Sequence, residues 1–228
     1  MCNNWNKAYS RYNWEVNLKY FKDAANYPGY FNRVITPADV ATFENKFRAA
    51  INGNGSFEIA GEVCFWKNYK NAQARNRVTQ KLLNHLKNPV NWNSFVQAIK
   101  QISSDPSYDN FVELQYACNQ RRGFATPITF LAFYNPTEYP MVDKHIANWW
   151  AKNKIKFGYE SFPAFLQGIY GSILSCKQSW DAYVAWKTFC NDYARRISEN
   201  CGLSWRARDI EMAVWEAQRN YISLEVLP

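Results

Sequence analysis

Histidine is nearly absent from this chain, with His85 and His145 the two among 228 residues. That scarcity, together with the lack of a His-Glu-x-x-His pair, argues against a zinc hydrolase. A Gly-x-Ser-x-Gly elbow and a glycine-rich phosphate fingerprint are missing too. The six cysteines, Cys2, Cys64, Cys118, Cys176, Cys190 and Cys201, are scattered without close pairs, so neither a zinc ribbon nor an iron–sulfur loop is indicated. They predict reduced thiols and no disulfide, and no metal or cofactor is expected. The N-terminal MCNNWNKAYSRYNWEVNLKY has no apolar core of signal-peptide length. No run of about eighteen apolar residues occurs anywhere. The expectation is a cytoplasmic chain that does not enter a membrane.

What is abundant is positive charge and aromatic rings. Lys and Arg outnumber Asp and Glu by 27 to 19, for a net charge of +8. With a pI near 9.1, this favours an anionic partner such as nucleic acid, although many proteins of similar charge bind none. The 10 Trp, 15 Tyr and 15 Phe are mostly expected to pack between helices. A few would suit stacking on an extruded base.

Helical periodicity runs through the chain. Trp5 to Asn26 carries Tyr9, Tyr12, Val16 and Tyr20 at helical spacing, closed by Tyr27-Pro28-Gly29. Thr36-Pro37-Ala38-Asp39 combines a cap, a first-position proline and an acidic residue as in a capping box, ahead of Val40, Phe43, Phe47 and Ile51. Glu58 to Leu86 stays helical with a break near Asn71, and Arg75, Arg77 and Lys81 are expected towards solvent. Asn88-Pro89 reads as a stop, with Asn91 or Asn93 capping the next helix. Phe162 to Arg196 reads as a long helical region interrupted by Gly168 and Gly171, and Ser204 as the cap of a last helix. No sustained period-two alternation is evident, so the fold class is all-α.

The most informative stretch is QRRGFATPITFLAFYNPTEYPMVDKHIANWW, Gln120 to Trp150. Thr126-Pro127 opens a short helix, apolar on nearly every side and stopped by Asn135-Pro136. A loop, Thr137 to Val142, leads to Asp143 at the mouth of another helix with Ile146, Ala147 and Trp150 inward. Read from the residues alone, Asp143 is a helix cap, at a terminus whose dipole favours negative charge.

Tyr108 to Trp150 resembles the helix-hairpin-helix DNA glycosylases, the HhH-GPD base-excision repair superfamily. The helix is Tyr108 to Asn119, the hairpin Gln120 to Ala125, the loop prolines Pro136 and Pro140, and the family's Asp-x-His is Asp143-Lys144-His145. The resemblance implies two helical lobes, 1–52 with 162–228 and a motif lobe 53–161. It implies a monomer on double-stranded DNA, on the nucleoid if the source is prokaryotic. Asp143 would be the catalytic carboxylate that stabilises charge on the sugar or orients a water. Arg121, Arg122, Gly123 and Ala125 would hold a DNA phosphate, with backbone N–H groups doing much of the work. His145 would contact the phosphate backbone. Trp205, Met212 and Trp215 lie where some members build the base pocket, although core packing is the better account of each.

Two features depart from the family. The lysine that often follows the hairpin glycine and attacks the sugar is missing, since no lysine lies between Arg121 and Asp143. The hairpin also carries the single Gly123 where two glycines are usual. The missing lysine implies base removal by hydrolysis without strand cleavage. The alternatives are a non-catalytic lesion-recognition protein on the same fold, or a helical interaction protein.

Overall fold

The computed structural model describes residues 2–18, 21 and 34–227. These residues form ten α-helices, α1 (Asn3–Arg11), α2 (Val40–Ile51), α3 (Glu58–Lys67), α4 (Ala72–Leu86), α5 (Pro89–Ser104), α6 (Tyr108–Ala117), α7 (Ala125–Tyr134), α8 (Lys144–Asn153), α9 (Lys177–Cys201) and α10 (Ala207–Asn220). The protein is mostly helical, as the periodicity predicts. Among the described residues no helix is long and apolar enough to cross a membrane.

The chain divides into two compact units. One contains Asn13–Arg121 and Thr129–Tyr134. Its core is aromatic, with Phe43 edge-on to Phe133 at 5.2 Å, Trp66 against Phe133 at 5.3 Å and Phe95 against Phe130 at 5.0 Å. Phe130, Leu131 and Phe133 of α7 are fully buried, which fits a helix apolar all round. Helices α3 and α4 approach closely at Gly61, where a Cβ would come within 2.5 Å of a Leu83 methyl carbon. The other unit contains Met1–Tyr12, Arg122–Ile128 and Asn135–Pro228. Its core is a ring cluster centred on Phe189, which lies 4.6 Å from Tyr193, 5.4 Å from Trp186 and 5.8 Å from Trp150. Removing so central a ring would cost about 3–5 kcal/mol.

Several helix boundaries follow from local chemistry. The Asp39 carboxylate accepts from the Thr36 N–H at 2.9 Å and its hydroxyl at 2.7 Å, and a 3-10 turn, Pro37–Asp39, leads into α2. The break near Asn71 separates α3 from α4.

Elsewhere the expectations need correction. Helix α1 ends at Arg11, with Tyr12 extended. The stretch YNWEVNL from Tyr12 to Leu18 alternates instead: Tyr12, Val16 and Leu18 are buried while Asn13 and Glu15 are exposed. Val16 pairs with Ile35 and Asn17 with Val34 as two antiparallel strands, β1 (Val16–Asn17) and β2 (Val34–Ile35). The expected stop at Tyr27-Pro28-Gly29 lies outside the described residues. Helix α4 ends at Leu86, as Asn88-Pro89 predicts, but the cap of the next one is Asn88 and not Asn91 or Asn93, since the Asn88 side chain accepts from the Val90 N–H and Pro89 opens α5. The last helix is capped at Arg206, not Ser204. The segment 162–176 is not helical: Leu166 and Leu174 flank a tight hairpin bracketed by Gly168 and Gly171.

The cysteines also depart from expectation. Cys2 and Cys201, 199 positions apart, form a disulfide with Cα atoms 6.6 Å apart. Spacing along the chain gave no sign of it, because folding brings the residue before α1 beside the last residue of α9. Cys64, Cys118, Cys176 and Cys190 are free.

Candidate functional site

The loop that delivers Asp143 is held from several directions. The Tyr183 hydroxyl donates to the Pro140 carbonyl at 3.0 Å, and the Trp186 indole N–H donates to the Met141 carbonyl at 3.0 Å. Asn191 reaches the Glu138 carbonyl at 2.8 Å. All three donors are on α9. Burial raises the Tyr183 pKa well above its usual value, which keeps the phenol a donor. The carbonyls of Pro136 and Thr137 accept the Arg208 and Ala207 N–H groups, each at 3.1 Å, and so cap the start of α10. An irregular loop whose carbonyls are claimed in this way has little freedom to drift.

Asp143 itself takes three N–H donors. Its Oδ1 accepts from the backbone of His145 at 2.8 Å and Ile146 at 3.0 Å, as a helix cap does. Its Oδ2 accepts from the indole N–H of Trp215 at 3.1 Å, a residue 72 positions away on α10. A carboxylate offers about four acceptor positions, so one remains on Oδ2. Asp143 is half-buried, so the residue keeps some access to solvent.

Trp215 gathers the rest of the site. The His145 ring meets it edge-on at 6.2 Å, the Tyr12 ring at 5.5 Å, and the Arg219 guanidinium lies 4.3 Å from its centroid. The structure therefore brings Asp143, His145, Trp215 and Arg219 together. Trp215 stood among the base-pocket aromatics in the sequence, but its bond to Asp143 and the neighbouring Arg219 had no local signal. Trp205 packs on Tyr9 at 4.9 Å, and Met212 is buried.

The basic turn is divided between the two units, with Arg121 in one and Arg122 to Ala125 in the other. Helix α6 ends in a Schellman motif, with the Gln120 N–H on the Gln115 carbonyl at 2.8 Å and the Asn119 N–H on the Tyr116 carbonyl at 3.0 Å. Asn119 takes the left-handed conformation, φ 54°, that allows this. Arg121 is exposed and lies 4.9 Å above the Tyr116 ring. In the same unit, Gln120 joins Arg77, Val78 and Lys81 of α4 around a shallow pocket of about 320 Å³. The sequence placed Arg77 and Lys81 at solvent without connecting them to the turn. Arg122 is exposed, Gly123 and Ala125 are half-buried, and Phe124 packs on Phe165 and Tyr183.

His85, the other histidine, has structural work. Its Nε2 meets the Ala117 carbonyl at 3.1 Å, tying α4 to the end of α6, and Asn91 contacts its Nδ1 at 3.3 Å. Among the described residues no group of three or more His, Cys, Asp and Glu side chains is arranged to hold a metal ion. No protein-family model, curated protein or solved structure matches the chain.

Proposed function

We propose that the protein is a monofunctional DNA glycosylase that hydrolyses the N-glycosidic bond of a damaged or mismatched base. The observation that carries this reading is the environment of Asp143, a half-buried carboxylate fixed by three N–H groups with one acceptor position left on Oδ2. In such a reaction the C1′–N bond breaks and its electron pair leaves with the base. The sugar gains positive charge at C1′, which a fixed carboxylate stabilises without having to reorganise. Water then adds to C1′ and gives up a proton to Asp143 or to solvent, while the departing base takes up another. An abasic sugar remains and the strand is intact. No lysine lies between Arg121 and Asp143 to attack C1′ in place of water.

Duplex DNA suits the rest of the reading. Arg77, Lys81 and Arg121 are exposed cations of one unit and Arg122 is an exposed cation of the other, and phosphate contacts from such residues grip a strand without reading its sequence. His145 is adjacent to the carboxylate and half-buried, as a phosphate contact near the lesion would require.

A second reading is a non-catalytic lesion-binding protein, and one observation favours it: the three bonds to Asp143 are also what a helix cap and a packed tryptophan would make for stability alone. The deciding experiment is incubation with duplexes carrying oxidised, alkylated, deaminated or mismatched bases, followed by alkali to reveal abasic sites. Wild type is expected to yield product from at least one lesion and Asp143→Asn none. Salt-sensitive binding by both proteins with no product from either would establish the second reading.

A further inference from the structure

Where α4 meets the end of α6, the surface folds inward into a pocket of about 320 Å³ lined by Arg77, Val78, Lys81 and Gln120. Helical spacing builds most of its wall. Arg77 and Lys81 stand four positions apart on α4, so their side chains rise from one face, and Val78 adds an apolar part to the lining. Gln120 joins them from the end of α6 on a fixed backbone. Its N–H is bonded to the Gln115 carbonyl at 2.8 Å, and Asn119 before it holds the left-handed turn. The His85 ring, 3.1 Å from the Ala117 carbonyl, ties α4 to α6 beneath the pocket's residues in the chain. All of these residues belong to one compact unit.

The charge of the pocket is uncompensated. Arg77 and Lys81 are exposed, and among the described residues neither forms an ion pair or a side-chain hydrogen bond. Other exposed cations differ in this respect, such as Lys177 beside Asp181 and Arg195 beside Asp192 and Glu199. Two neighbouring cations without an acid repel each other, and a doubly charged anion relieves that repulsion. A phosphomonoester carries about −1.5 to −2 at neutral pH and offers three acceptor oxygens. Guanidinium, ammonium and amide groups supply the matching donors. A phosphodiester or a carboxylate brings a single charge to share between both cations. The volume lies at the lower end of the range of ligand pockets, about 300–1,000 Å³, which leaves room for a phosphate and part of the group that bears it.

We infer that this pocket binds a phosphomonoester, with Arg77 and Lys81 on the phosphate oxygens and the Gln120 amide donating beside them. The phosphate belongs to a free small molecule or to the 5′ end of a nucleic-acid strand. Side chains of α4 supply the charge, so the site is distinct from a grip on phosphodiesters through backbone N–H groups of the turn. It does not rest on the glycosylase reading.

The test is calorimetric titration of the full chain at low salt with two probes that share a base and a sugar, adenosine 5′-monophosphate and its 3′,5′-cyclic diester. Wild type is expected to bind the monoester about tenfold more tightly than the diester. Arg77→Gln/Lys81→Gln should lose about tenfold or more in monoester affinity, and Gln120→Ala a smaller part of it. Lys46→Gln, which removes an exposed charge of α2, should lose none. The substituted side chains are exposed or half-buried, so circular dichroism should be unchanged in every variant. Single strands with a 5′-phosphate and with a 5′-hydroxyl separate the two sources. A gain in affinity from the strand's phosphate that the double variant abolishes identifies a strand end. No gain, with the monophosphate still bound, identifies a free small molecule. Equal affinity for monoester and diester, a double variant that binds the monoester as wild type does, or no binding of any probe overturns the site. Base release takes no part in these outcomes, so the pocket and the glycosylase reading can fail separately.

Discussion

Asp143 and Asp209 each stand at the start of a helix, and the difference between them separates a candidate reactive group from a structural one. Asp209 is buried, and its oxygens are fully occupied. Arg206 supplies its backbone N–H at 2.9 Å and two guanidinium nitrogens at 3.0 and 2.8 Å, and the Tyr9 hydroxyl lies at 3.3 Å. A counter-charge and four contacts leave that carboxylate nothing to offer a ligand. Partial burial first, and the Asp209 charge second, push the Tyr9 pKa up to about 12, so the phenol remains a donor. Asp143 has no cation among its hydrogen-bond partners, one acceptor position in hand and partial access to solvent. Position at a helix start does not distinguish the two, whereas the charge and number of their partners do.

The largest effect expected from breaking this contrast is on catalysis. Asp143→Asn keeps the cap through its oxygen but turns an amide N–H towards the Trp215 indole N–H, so its melting temperature should fall modestly. The rate of base release should fall about 10²–10⁴-fold. A variant that melts much lower yet cleaves normally would reduce Asp143 to the role of Asp209. The next effect is on stability. The Cys2–Cys201 bond anchors the start of α1, the helix that presents Tyr9 to Asp209. Cys2→Ser/Cys201→Ser should lose about 3 kcal/mol in urea denaturation. Asp209→Ala should cost about 2 kcal/mol by the same measurement, because it strips charge-assisted bonds from Arg206. If the protein is the glycosylase proposed, neither change should alter which lesions yield product in the base-release panel.

Asp143 was legible as a helix start because everything that defines it locally is adjacent: Pro140 before it, and the two N–H groups it caps just after it. Thr36 and Asp39 were legible for the same reason. Trp215 was not, since its bond to Asp143 spans 72 positions and a buried tryptophan in an amphipathic helix has the same pattern whatever its indole touches. The false extension of α1 has another cause. Tyr9, Tyr12 and Val16 fit a helical period, but Tyr12, Trp14, Val16 and Leu18 fit a period of two equally well, and pairing with Val34 and Ile35 decides between them. Gly168 and Gly171 were visible as interruptions, yet a hairpin that leaves its apolar tip, Ile169 and Tyr170, exposed defeats any reading that assigns apolar residues to the core.

The smallest effect concerns Glu216, one residue beyond Trp215, which carries the same comparison into pH dependence. Glu216 is buried, and its pKa is raised above the ordinary 4.5 chiefly by burial, with Arg219, Asn220 and Arg11 opposing the rise. Because the folded state holds this proton more tightly than the unfolded chain, the associated stability is present below pH 4.5 and is lost as pH rises through the raised value. Glu216→Gln removes that loss. Melting temperatures of wild type and variant should coincide in acid and separate upward from about pH 4.5, the variant becoming the more stable. If the wild type gained on the variant instead, Arg219 and Arg11 would outweigh burial. Glu216 would then belong with Asp209 as a carboxylate held by counter-charge, and Asp143 would be the exception among the three.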